Sequence, residues 1–133
     1  MARSIHRDQI RTKMRAFIDD GFGTPAPDRL STIEIGSNEE YDRVHLPGAI
    51  HLSSSDPIES LLKQIQIRIG NLATEIILYQ NRDQDPLIVK DLARALDRAG
   101  YGDVFIYPDG KEDWLENGLW VDHAWQVQVA KNN

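Results

Sequence analysis

The chain has 133 residues, 41% hydrophobic and 27% charged, with no cysteine and a net charge of −6. That length supports one domain with its own core, and the missing thiol excludes disulfides, thiolate metal sites and all cysteine chemistry. No apolar run approaches the roughly 18 residues of a membrane span, the N-terminus has no apolar signal core, and an acidic body argues against nucleic-acid binding, so a cytoplasmic globular domain is expected.

Ser4 is placed to cap a first helix over residues 5–19, with Ile10, Met14, Phe17 and Ile18 as its apolar stripe. Residues 21–27, Gly-Phe-Gly-Thr-Pro-Ala-Pro, read as a loop. Residues 32–35 form the first core strand, 39–43 a short helix, and 45–52 a Pro-Gly turn running into a strand. Asp56-Pro57 is an N-cap and first-turn proline opening a helix with Ile58, Leu61, Leu62 and Ile65 on one face. Its end is ambiguous, because Ile65, Ile67 and Ile69 also alternate like a strand before Gly70. Residues 76–79, Ile-Ile-Leu-Tyr, are the short apolar run of a strand buried on both faces. Asp85-Pro86 repeats the cap signal before a helix carrying Ile88, Leu92, Ala95, Leu96 and Ala99, with Gly100 at its C-terminal cap. Residues 103–107 are a further strand, and 111–116 a short helix closed by Asn117-Gly118. Strands alternating with helices give an α/β fold with a mostly parallel sheet.

Ligands of such sheets bind beyond the carboxyl ends of the strands. The loop at that address is Gln80, Asn81, Arg82, Asp83 and Gln84, leading to Asp85. A loop from a strand end into a helix N-terminus gathers backbone N–H groups around one point. Enzymes of this layout hold a Cys or Ser there, whereas this chain has Gln80.

Three segments resemble one family in order and spacing. Residues 39–50, Glu-Glu-Tyr-Asp-Arg-Val-His-Leu-Pro-Gly-Ala-Ile, resemble the rhodanese motif "EEY…GHIPGAI"; residues 99–104 resemble its "AGY.NV", and 109–119 its "GG…W…AG.P" ending. The match runs over 33–121, within a single domain 1–133 that adds an N-terminal helix (1–19) and a C-terminal extension (122–133). The resemblance implies a rhodanese-like three-layer fold, a five-stranded, mostly parallel sheet flanked by helices on both faces. It also implies that Gln80 stands in place of the family's persulfide-forming cysteine. The family's Asp-Val-Arg at the end of the first core strand is here Glu34, Ile35 and Gly36, and its Gly-, Ser- and Arg-rich loop here carries Asp83 and Asp85. The expected function is therefore a catalytically inactive rhodanese-like domain, with no catalytic residue, metal or cofactor, serving as a binding or regulatory module.

The alternative is an enzyme or small-anion-binding protein using the same loop with non-thiol chemistry. Arg82, Asp83, Glu34 and His45 are its candidate groups. The helix N-terminus and Arg82 favour an anion; Asp83 and Asp85 oppose one. A cation held by Asp83, Asp85 and Glu34 is a weaker idea. His6, His45, His51 and His123 have no metal-ligand spacing, and His45 and His51 are expected to bond backbone near the sheet edge.

Two features invite partners. Residues 1–15 hold five basic side chains and one acidic, and Arg7, Arg11 and Arg15 share a helix face, extended back by Arg3. Like charges at i, i+4 repel, so an acidic surface is expected to answer them, from this chain's own body, a second copy or another protein. The extension contains Trp125, Val127 and Val129 in strand-like alternation, suited either to the domain's own sheet or to a homodimer edge.

Overall fold

The computed structural model describes residues 2–19, 29–119 and 121–122, with backbone alone for 16–19. Its elements are β1 (Arg3–Ser4), α1 (Arg7–Asp19), β2 (Leu30–Gly36), α2 (Asn38–Arg43), β3 (Ile50–Ser53), α3 (Ile58–Arg68), β4 (Glu75–Tyr79), α4 (Leu87–Arg98), β5 (Val104–Ile106) and α5 (Gly110–Glu116). The five strands form one sheet in the order β1-β5-β4-β2-β3, every pair parallel. The expected α/β architecture is thus present, and wholly parallel.

The alternation along β4 explains why its sequence is apolar throughout. Ile76 and Leu78 face one layer, with Ile33, Ile35, Leu52 and Val104, against Leu61 and Ile65 of α3 and Val89, Leu92 and Leu96 of α4. Ile77 and Tyr79 face the other, with Phe105, against Ile10 and Met14 of α1 and Trp114 of α5. A strand between two cores has no polar face to show. By the same alternation Glu34 of β2 lies on the α5 side of the sheet, opposite to Ile33 and Ile35.

Several expectations need correction. Ser4 does not cap α1: it pairs with Ile106 in the edge strand β1. The helix begins at Arg7, where the Gln9 side chain reaches back to accept the His6 N–H (2.9 Å), as in a capping box. Asp56 does not cap α3; Pro57 precedes that helix without a side-chain bond, and Asp56 accepts from Gln64 instead. The ambiguous stretch after Ile65 is helical to Arg68, which buries Ile65 and Ile69 and leaves Ile67 84% exposed. The buried face of α4 is Val89, Leu92, Ala93 and Leu96, with Ile88, Ala95 and Ala99 at its margin. Gly100 takes the left-handed turn expected of it, φ +103°, with its N–H on the Asp97 carbonyl and that of Tyr101 on Leu96. The loop at 21–27 and the extension residues Trp125, Val127 and Val129 lie outside the described residues, and Phe17 and Ile18 have no described side chain.

The acidic surface that answers the N-terminal arginines is largely the domain's own. Arg3 pairs with Asp103 (3.0 Å), Arg7 with Asp113 (3.0 Å), Arg11 with Asp8 (3.7 Å), and Lys13 with Glu75. Arg3 and Lys13 also lie 4.6 and 5.0 Å from the centre of the Phe105 ring, within cation–π range. Arg3 belongs to β1, so only Arg7, Arg11 and Arg15 share the helix.

Candidate functional site

Every parallel strand of the sheet points its carboxyl end to the same side, and there β4 opens into the loop from Gln80 to Asp85. Asp85 performs the capping role read from the sequence, its Oδ1 accepting the Leu87 N–H at 3.0 Å. Three further donors are bonded within the loop. The Asn81 N–H donates to the Gln84 side-chain oxygen (3.2 Å), the Gln84 N–H donates to the Asn81 carbonyl (3.1 Å), and the Gln80 carboxamide donates to the Gln84 carbonyl (3.0 Å). The Arg82 N–H donates to the Glu112 carboxylate of α5 at 2.7 Å, a short charge-assisted bond. Gly36, at the end of β2, has no side chain to compete for this space. A Cβ there would stand 3.5 Å from the Gln84 amide.

The loop is clamped from below. The Lys111 N–H donates to the Gln80 carbonyl (3.0 Å), and Gly110, at φ +76°, packs directly beneath. A Cβ on Gly110 would meet the Gln80 carbonyl oxygen at 3.0 Å and the Arg82 nitrogen at 3.1 Å. Arg82 is exposed, its guanidinium 3.0 Å from Glu116 and 3.4 Å from the Asp109 carbonyl. The Glu116 contact raises its pKa further. Asp83 and Asp85 are exposed.

Glu34 does not join Asp83 and Asp85, which corrects the idea of a shared cation. It is buried, and its Oε2 accepts from the Lys111 ammonium at 2.8 Å, both side chains being 1% exposed. Lys111 spends its other two protons on the Glu40 and Val44 carbonyls, each at 2.9 Å, the end of α2 where a cation is favoured. An ammonium with three donors and three acceptors is satisfied, so Lys111 is a staple between β2, α2 and α5. Among the described residues no group of three His, Asp or Glu is arranged to hold a metal.

Tyr79 lies beside this pair, its hydroxyl accepting the Leu46 N–H (3.0 Å). Burial, and then the Glu34 charge, hold its phenol well above the ordinary 10.0. Tyr107, bonded to Asp113, is raised too, first by burial. Below pH 10 these phenols are neutral in both folded and unfolded chains and stability is fully present. Above it the unfolded phenols ionise while the folded ones keep their protons, so stability falls as pH rises. We expect about 1.4 kcal/mol lost per pH unit above 10 for Tyr79 alone. Urea titrations at pH 9, 10 and 11 check this; a midpoint that does not move over that range would contradict it.

His45 and His51 have the structural roles expected of them. The His45 Nδ1 bonds the Tyr41 carbonyl and the His51 Nε2 the Gly36 carbonyl, both at 2.8 Å. Both rings stack on Tyr41, at 3.9 and 5.1 Å between centres. His45 also meets Asp122 in an antiparallel bridge. The sequence reading missed Lys111 and Glu112, whose partners lie 77 and 30 positions away. The only signal available was a lysine following a glycine at a helix start, which is unremarkable by itself.

The comparisons with known proteins agree with this geometry. Residues 20–117 match the model of the rhodanese-like domain. No curated protein matches the chain. Among solved structures, a thiosulfate sulfurtransferase from Pseudomonas aeruginosa superposes with a TM-score of 0.67 at 19% identity, covering 91% of this chain but only 20% of that one. The chain thus spans about a fifth of that enzyme. An uncharacterized protein from Saccharomyces cerevisiae gives 0.62 at 18% identity, covering 88% of this chain and 93% of that one. The BH2092 protein from Bacillus halodurans gives 0.60 at 15%, covering 99% and 90%. At these identities the likeness is one of fold. With the family model spanning most of its length and the sheet order and motifs in place, the chain belongs to the rhodanese-like domain family and has no cysteine.

Proposed function

We propose that this is a rhodanese-like domain without sulfur-transfer activity, acting in the cytoplasm as a binding or regulatory module. One observation carries the reading: the residue at which β4 opens into the loop is Gln80, in a chain with no thiol. Persulfide transfer requires a polarisable nucleophile that is anionic near neutral pH, and a carboxamide is neither. Three of the four candidate groups for other chemistry are engaged, Glu34 by Lys111, Arg82 by Glu116 and the His45 ring by Tyr41, and the fourth, Asp83, is an exposed carboxylate. The proposed contact surface is the loop itself, Gln80, Asn81, Arg82, Asp83, Gln84 and Asp85, met from outside by a protein partner rather than filled by a small molecule. The exposed acids Asp83 and Asp85 and the 55% exposed Leu87 beside them support contact of that kind. The basic helix is a weaker candidate, because Arg7 and Arg11 are already paired within the chain.

Pure protein given thiosulfate and cyanide is expected to form no thiocyanate above the blank. Turnover that disappears on Gln80→Ala would overturn the reading. A thermal-shift screen with thiosulfate, sulfate and phosphate tests the small-anion alternative. No stabilisation is expected, and a stabilising anion whose effect is lost on Arg82→Ala would favour that alternative.

A further inference from the structure

We propose that Gln84 and Glu112 form a built-in closure of the loop, silencing position 80 independently of the missing thiol. The inference deepens the reading of Gln80 as the vacant nucleophile position and rests on it. A strand-to-helix loop stabilises a charged atom at its first residue by turning backbone N–H groups toward it. Here the Asn81 N–H is taken by the Gln84 side-chain oxygen and the Arg82 N–H by the Glu112 carboxylate. These are the two backbone donors that follow residue 80 in sequence, and each has an acceptor supplied by the chain itself.

The closure is fixed at several points. Gln84 is held by its own N–H on Asn81 and by its amide against Gly36, contacts that do not depend on the side chain at position 80. Glu112 stands on α5, whose start is tied to the loop through the Lys111 N–H on Gln80 and through the close packing of Gly110. Lys111 in turn is anchored in the core by Glu34. Opening the donors therefore means displacing a glutamine seated between two strand ends and a carboxylate on a fixed helix.

The test places a thiol where the glutamine stands. Gln80→Cys introduces the only thiol of the chain, so its ionisation is read cleanly from the pH dependence of iodoacetamide alkylation. In that single variant the thiol is expected to titrate no lower than the ordinary value of about 8.5. In Gln80→Cys/Gln84→Ala/Glu112→Ala the apparent value is expected to fall by at least about one unit, roughly tenfold more thiolate at neutral pH.

Removing Glu112 also removes a charge, so the triple variant is repeated with Glu112→Gln, which keeps an acceptor oxygen. The closure requires a smaller fall with Gln than with Ala. Three results would overturn it: a single variant already well below 8.5, a triple variant titrating like the single one, or equal falls with Gln and Ala. Thermal melts establish folding of each variant. Should the triple variants unfold, Gln80→Cys/Gln84→Ala carries the comparison, its thiol again expected to titrate below that of Gln80→Cys. Thiosulfate turnover by the unmodified protein would instead refute the functional reading, while leaving the thiol titrations to decide the closure.

Discussion

Lys111→Met is expected to lower the unfolding free energy by about 3–5 kcal/mol, the range for removing one partner of a buried ion pair. Methionine fills much the same volume, so the loss is electrostatic. Glu34 would keep a carboxylate in a site 1% exposed with its cation gone, and the Glu40 and Val44 carbonyls would lose a donor. Removing both charges should behave differently. In Glu34→Leu/Lys111→Met no buried charge is left unpaired, and most of the lost stability is expected to return. Urea denaturation of the two single variants and the double variant gives the coupling directly. A double variant as unstable as Lys111→Met alone would mean that the carbonyls, and not the carboxylate, are what the ammonium serves.

Gly110→Ala is expected to cost about 2–5 kcal/mol. Part of this is the left-handed conformation at φ +76°, roughly 1–2 kcal/mol for a residue with a Cβ. The rest is overpacking, about 1–3 kcal/mol, because the new carbon would stand 3.0 Å from the Gln80 carbonyl oxygen and 3.1 Å from the Arg82 nitrogen. Both are backbone atoms and cannot swing aside. Gly118→Ala is the control, with φ +64° and nothing within 4 Å of its Cβ; it carries the conformational cost alone. Thermal unfolding should rank Gly110→Ala well below Gly118→Ala, and amide exchange at Arg82 should quicken in the former. Equal stability of the two variants would show that the loop does not rest on Gly110.

Much of the fold was legible because its signals are local and repeated. The all-apolar run before Tyr79, the helix opened by Asp85-Pro86 and closed by Gly100, and the motif around Pro47-Gly48 each follow from a few neighbouring residues. The misplaced boundaries share one cause. Ser4 and Asp56 are good caps in isolation, but Ser4 is taken by the sheet through Ile106 and Asp56 by the Gln64 amide. Tertiary pairing outweighed a capping preference of about 1 kcal/mol. The vacancy at Gln80 needed only the end of the apolar strand and the residue that follows it. What surrounds that vacancy was not legible: the Glu34–Lys111 pair and the Glu112 bond join residues whose proximity exists only once the sheet and α5 are assembled. A buried lysine looks like any other lysine until its neighbours are known.

The two-residue strand β1 has a kinetic corollary. It reaches β5 across 100 positions of chain, as the Arg3–Asp103 bond measures, and lays down only two rungs of ladder. Such a long closure for so short a reward cannot nucleate assembly. The N-terminal edge is therefore expected to zip on after the inner strands have formed.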